Sequence, residues 1–239
     1  MQLVPRRFAA RFSDALISLW AKARRNRKVR LDGRPVKLNV GSGLVVAPGW
    51  VNMDVSLITL AASWPVVLQR TIHRLLPESS AARRLYTFEQ FRTLLRDYTF
   101  VHHRVEFGLP FHNDSVDYIF TSHLVEHLYL SHARLFFAES LRVLRSGGVL
   151  RICIPDLEHA IKLYNEGHKE EALGYFFSDV GPSEYSRHRY MYDFDLLQSE
   201  LSKAGFNAIV RRSYRAGDVP DIAVLDNRPE ETLYVEATK

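Results

Sequence analysis

With 239 residues, 46% hydrophobic and 25% charged, the chain is long enough for one α/β domain with a sizeable core, and no stretch reaches the roughly 18 apolar residues of a membrane span. Its single cysteine, Cys153, excludes an internal disulfide and a cysteine-ligated iron–sulfur cluster, and points to a reducing, cytoplasmic setting. The net charge of +5 is local: residues 1–37 hold eleven Lys or Arg against Asp14 and Asp32, which leaves −4 beyond them and argues against a basic nucleic-acid face.

The start, MQLVPRRFAARFSD, lacks an apolar run with a small-residue cleavage site, so secretion is not expected. Residues 5–28 read as an amphipathic helix, with Phe8, Phe12, Leu16 and Leu19 at helical spacing, Trp20 beside them and basic residues opposite. Such a stripe docks on the body or on a second copy in a homodimer; its other reading is attachment to the anionic inner face of a membrane. Residues 1–35 thus form a basic amphipathic leader, and 36–239 the main domain.

VKLNV is a strand that runs into Gly41-Ser42-Gly43, and WVNMD is a second strand ending at Asp54. More than forty residues separate Asp54 from the next strand signal, FVHHRV, so 57–100 reads as a helical insertion. Two helices are expected in it, SLITLAASWPVVLQRTIHRLL and ARRLYTFEQFRTLLRDY. The first is read as a buried or lid helix. VDYIFTS is the fourth strand, and HARLFFAESLRVL a helix ending on Ser146-Gly147-Gly148, where glycine suits a left-handed cap. VLRICI is a buried strand that takes Cys153 as a small hydrophobe, and Asp156 is an N-cap. A polar, aromatic loop within 168–192 precedes the helix DLLQSELSKAG, capped by Gly205. FNAIVRRSY and TLYVEATK close the chain as strands with no helix between them, free to pair antiparallel. Strands alternating with helices imply a mostly parallel sheet covered on both faces.

A strand ending in Gly-x-Gly before a helix lets a ligand approach the backbone. A dinucleotide fingerprint needs a further glycine where this chain has Val46, which argues against pyrophosphate. Asp54, eleven residues after Gly43, is placed to accept two ribose hydroxyls.

KLNVGSG…GWVNMD, then GLPFHNDSVDYIFTSHLVEHL, then FAESLRVLRSGGVLRICIPDL follow one another in the order seen in class I S-adenosylmethionine-dependent methyltransferases. Within that class the chain resembles bacterial predicted methyltransferases with LNxGSG, LPF…D and EHL blocks, associated with cell-envelope polysaccharide biosynthesis. The likeness spans about residues 37–160 and, more loosely, YDFDLL…AGF and the last strand pair. It implies a Rossmann-like α/β fold with a seven-stranded sheet in the order 3-2-1-4-5-7-6, the seventh strand antiparallel, and S-adenosylmethionine as cofactor. By position it assigns Asn39, Gly41, Ser42 and Gly43 to the methionine end, Asp54 to the ribose, Val105 and Glu106 to the adenine, and Ser122 to the rim of the cofactor site. Relatives often carry an Asp near the adenine segment where this chain has Arg104-Val105-Glu106, and Ser146 stands for the proline of a PGG turn.

A sugar hydroxyl needs a base, and imidazole suits that near neutral pH. His123, His127 and His188 are the candidates; Glu126, Asp156, Tyr185, Arg187 and Tyr190 are the expected acceptor contacts. His123 and His127 could share a metal on one helix face, but two helical histidines alone are more often structural, and no metal is expected. His102 and His103 are given no role. TSHL stands where an Asn/Asp-Pro-Pro-aromatic mark of amino-group methylation would lie, which favours oxygen as the acceptor atom. The expected activity is O-methylation of a saccharide or glycolipid hydroxyl. The alternatives are a small hydroxylated metabolite as acceptor, a nicotinamide-dependent reductase, or a non-catalytic binding protein.

Overall fold

The structure, a computed structural model, describes residues 18–31, 33–76, 78, 80–177 and 187–239. Seven strands form one sheet: β1 (Lys37–Val40), β2 (Trp50–Asp54), β3 (Thr99–His102), β4 (Val116–Ser122), β5 (Leu144–Pro155), β6 (Ile209–Arg212) and β7 (Thr232–Thr238). Their order is 3-2-1-4-5-7-6, as the resemblance implied. Strands 3-2-1-4-5 run parallel, and β7 is antiparallel to both neighbours. The central strands are buried on both faces, which is why ICI in β5 reads as an apolar run, while β1 alternates and buries its Asn39 through hydrogen bonds.

The nine residues between β1 and β2 form no helix, so the expected turn-to-helix junction is replaced by an irregular loop. Pro48 and Gly49 end it before a helical turn can form. That face of the sheet is covered instead from the far end of the chain. Val219, Ile222 and Leu225 pack with Ala47, Trp50 and Phe120. Asp221 accepts from Lys37 Nζ at 2.7 Å and from Trp50 Nε1 at 2.8 Å.

The segment carrying Asp221 is tied down by a charge cluster at the sheet centre. Arg151 is fully buried; it donates to Asp226 Oδ2 at 2.6 Å, to Glu236 Oε1 at 3.0 Å, and to the Ala216 and Ser213 carbonyls. Every arm of its guanidinium thus finds an acceptor, the condition under which a buried cation is tolerated.

Between β2 and β3 lie four helices rather than two: α1 (Leu57–Ala61), α2 (Val66–Leu75), α3 (Ala81–Leu85) and α4 (Phe88–Asp97). Pro65 restarts the chain as the N-cap of α2, and Thr87 with Gln90 forms a capping box that opens α4. These helices pack Phe91, Leu94 and Leu95 against Leu44 and Val46, beside the glycine turn. Of the insertion only its start, at Leu57, reaches the main cleft, so α2 is not a lid over it.

Further on come α5 (Leu130–Val143), α6 (Leu157–Asn165), α7 (Lys169–Phe176), α8 (Phe194–Ala204) and the short α9 (Ile222–Leu225). Gly205 caps α8 in the left-handed conformation, as read. Ser146-Gly147-Gly148 does not cap α5, which ends at Val143; these residues are already part of β5, where the Gly147 amide donates to the Lys239 carbonyl. Residues 1–17 of the leader lie outside the described residues; 18–24 are helical, and Val29 and Leu31 pack on the core. Among the described residues no helix is long and apolar enough to cross a membrane.

Candidate active site

Parallel strands deliver their carboxyl ends to one edge of the sheet, and a cavity of about 730 Å³ opens there, within the size range of small-molecule sites. Gly41, Asp54, Val105 and Glu106 line one side of it, and His123, His127 and Tyr129 the other.

On the first side, Gly41 and Gly43 take positive φ angles of +71° and +50°, which only glycine adopts without strain. A Cβ at Gly41 would stand 3.0 Å from that of Leu124, so the turn packs directly against the segment after β4. Asp54 fixes this turn. Its Oδ2 accepts the Gly43 amide at 2.9 Å and its Oδ1 the Ser56 amide at 2.6 Å. Each carboxylate oxygen keeps a further lone pair, so the same group can still accept from a diol. The Ser42 hydroxyl is buried beside it with no partner among the described residues.

Asn39 does not face the cleft. It is 2% exposed, and its Nδ2 donates to the Val45 carbonyl at 2.8 Å and to Asn52 Oδ1 at 3.1 Å, so it braces the loop rather than touching a ligand. Ser122 ends β4 outside the cavity lining. Val105–Phe107 form a single 3₁₀ turn, and Glu106 is paired with Arg104 at 2.7 Å. Burial alone would raise the Glu106 carboxyl, but that bond and charge bring it below its ordinary value. His103, given no role in the sequence, also lines the cavity, with Nε2 on the Gly108 carbonyl at 3.1 Å.

The second side is built from imidazoles. His123 follows β4 directly, with φ +52° and its amide on the Cys153 carbonyl. Val125–His127 is a single 3₁₀ turn, and the helix beyond begins only at Leu130, so His123 and His127 do not share a helix face. They meet on Glu126 instead. Its carboxylate is 1% exposed; Oε1 lies 3.2 Å from His123 Nδ1 and 3.9 Å from His127 Nε2. Glu126 is therefore beneath the histidines rather than open to an acceptor. Burial lowers the His127 pKa and favours its neutral ring.

Residues 187–190 cross this wall. The Arg189 amide donates to the Glu126 carbonyl at 2.7 Å, and the His127 and His188 rings lie with centroids 4.9 Å apart. The Arg187 side chain is exposed, and its carbonyl serves His127. Tyr190 packs on the core and against Tyr192. Tyr185 lies outside the described residues. Asp156 does not join the cleft: Oδ1 caps α6 through the Glu158 amide and Oδ2 pairs with Arg211 at 2.8 Å. Its role as a cap was legible, and that role occupies the side chain.

Two further cleft residues, Tyr129 and His132, were not singled out in the sequence, while Arg189 lies in the aromatic Tyr185–Tyr192 stretch read as an acceptor region. Arg189 donates to the Tyr129 hydroxyl at 2.7 Å and lies over its ring at 4.2 Å; His132 stands beside them. An aromatic residue just past the Glu-His-Leu block was the only hint available.

Residues 74–152 match the family described as Methyltransferase domain, a stretch that runs from the end of α2 into β5 and leaves out the glycine turn. With the seven-strand order, this defines the class: the chain is a methyltransferase, and S-adenosylmethionine is its cofactor. None of the curated proteins matches it.

Among solved structures it is similar to the methyltransferase in complex with the Trm112 methyltransferase activator of Haloferax volcanii, at 14% identity over 96% of each chain and a TM-score of 0.48. It is also similar to a SAM-dependent methyltransferase from Archaeoglobus fulgidus, at 12% identity over 95% of this chain and 94% of that one, TM-score 0.48. An S-adenosylmethionine-dependent methyltransferase from Mesorhizobium loti aligns at 16% identity over 85% and 90%, TM-score 0.46.

Proposed function

We propose that this enzyme methylates a hydroxyl oxygen of a saccharide or glycolipid, with His123 as the base. The observation that carries this reading is the His123–Glu126 pair on the cavity wall. An ionised carboxylate only accepts, so the proton on His123 sits on Nδ1 and leaves Nε2, 3.5 Å from Thr232 Oγ1, to take a proton. Bound S-adenosylmethionine supplies the methyl group. Asp54 and the glycine turn would hold the nucleoside and methionine ends, while the Tyr129 ring offers an apolar face to a sugar. His123 would take the proton of the acceptor hydroxyl as its oxygen accepts the methyl group that the cofactor would supply. Alignment of the two reactants is the main contribution of the walls.

Leu19, 65% exposed, and Trp20, 39% exposed, with Arg24 over the Trp20 ring, favour a glycolipid met at an anionic membrane surface on the cytoplasmic side. The test is transfer of labelled methyl from S-adenosylmethionine to cell-envelope glycans, glycolipids, sugar glycosides and small hydroxylated metabolites. A methyl ether on a sugar is the expected product. Label only on nitrogen or carbon, or only on the small metabolites, overturns the reading.

A further inference from the structure

Glu126, His127 and His188 each offer one ligand atom, and these atoms lie within 4.8 Å of one another. The two rings are oriented from behind. His127 Nδ1 lies 3.1 Å from the Arg187 carbonyl, and His188 Nδ1 lies 2.5 Å from the Tyr175 carbonyl. A carbonyl only accepts, so each Nδ1 carries the proton and each Nε2 presents a lone pair. That is the outer-shell arrangement that orients metal-binding imidazoles. The third group adds an independent sign. Glu126 is 1% exposed, and its Oε2 has no hydrogen-bond partner among the described residues. A buried anionic oxygen without a partner is costly, and a cation beside it removes that cost.

We propose that Glu126, His127 and His188 bind one divalent first-row transition-metal ion, of the Mn²⁺ to Zn²⁺ series. Two imidazoles favour such ions over Mg²⁺ or Ca²⁺, and three protein ligands leave positions open for oxygen. Metal–ligand distances of about 2.0–2.2 Å put neighbouring ligand atoms roughly 3–3.5 Å apart, so the site closes by about 1 Å on filling. The cation would hold the acceptor oxygen beside His123 and lower the pKa of its hydroxyl. That role rests on the oxygen-acceptor reading above; the binding site does not.

The experiment uses the untagged full chain, stripped with a chelator and titrated with Co²⁺ while visible absorption is followed, then with Zn²⁺ as competitor. One equivalent of Co²⁺ with d–d bands is expected, bound at least tenfold more weakly by His127→Ala and by His188→Ala, while adenosylhomocysteine affinity stays within twofold in both as proof of folding. Absence of the bands, or bands unchanged in both variants, overturns the site. For the role, chelation should abolish methyl transfer, with recovery on adding Mn²⁺ or Zn²⁺. Bound metal with chelator-insensitive O-methylation overturns the role and leaves the site. Bound metal in an enzyme that methylates no hydroxyl supports the site and counts against the proposed function instead.

Discussion

The two walls of the cleft are held by different kinds of support. On the cofactor side, Asp54 takes two backbone amides, the loop after Gly43 is braced by Asn39, and Asp221 reaches Lys37 and Trp50 beneath it. The segment bearing Asp221 is anchored in turn on the fully buried Arg151. On the proposed acceptor side, the groups are imidazoles oriented through Nδ1 by Glu126 and by carbonyls of distant segments. A rigid frame suits a ligand that is the same in every turnover. A wall of half-satisfied imidazoles suits a site where protons, and in our proposal an ion and a hydroxyl, come and go.

Substitutions should separate the walls, and the largest effect is expected at His123. His123→Ala removes the proposed base and should lower kcat by about 10²–10⁴-fold, while adenosylhomocysteine affinity measured by calorimetry stays within twofold. An equal loss in both would mean the walls are not independent. Next in size is the frame beneath the cofactor. Asp226→Ala strips Arg151 of the carboxylate on two of its nitrogens and should destabilise the fold by about 3 kcal/mol, seen as a lower urea midpoint at constant m value. Cofactor affinity should fall with it, because Asp221 is on the loosened segment. A smaller and purely local effect is expected from Asp54→Asn, which keeps the shape but not the charge. Replacing one acceptor oxygen by an NH2 donor loses one of the two amide bonds and the charge, so adenosylhomocysteine binding should weaken by about 10–100-fold and the urea midpoint should fall by the equivalent of about 1 kcal/mol.

The frame was far more legible in the sequence than the working wall. The strand order followed from the resemblance of the motif blocks to class I methyltransferases, and Asp54 was visible as the acidic end of the second strand. Asn39 was misassigned because a polar residue beside a glycine turn reads as a ligand contact, whereas its amide is consumed by the loop. The insertion was read as two helices because apolar spacing runs across Trp64-Pro65 and across Tyr86-Thr87, although both breaks carry local signals, a proline and a capping box. The acceptor wall depends on contacts of long sequence separation. His127 meets His188 and an Arg187 carbonyl about sixty residues away, and no periodicity encodes that meeting. The sequence reading weighed His123 with His127 on a helix face that does not form, and so missed the meeting of Glu126, His127 and His188.

The smallest expected effect tests whether the acceptor wall has a support of its own. The segment at 187–190 leads into α8, and α8 is tied to α5 by Glu200, which accepts from Arg134 at 2.6 Å and from Lys203 at 2.7 Å. Those bonds pull the Glu200 carboxyl from its ordinary 4.5 to about 2. A carboxyl depressed in the folded state stabilises the protein above its unfolded pKa, and that contribution is lost as pH falls from about 4.5 toward about 2. Arg134 is half exposed, so screening keeps the gain below about 1 kcal/mol. Glu200→Gln should therefore lower the urea midpoint slightly at pH 7, with the gap to the parent narrowing as pH falls through that window. If α8 braces only the acceptor wall, the variant raises the KM for the acceptor and leaves adenosylhomocysteine affinity unchanged. A matching loss of cofactor affinity would show that the two walls share this support and that their division ends at the side chains lining the cleft.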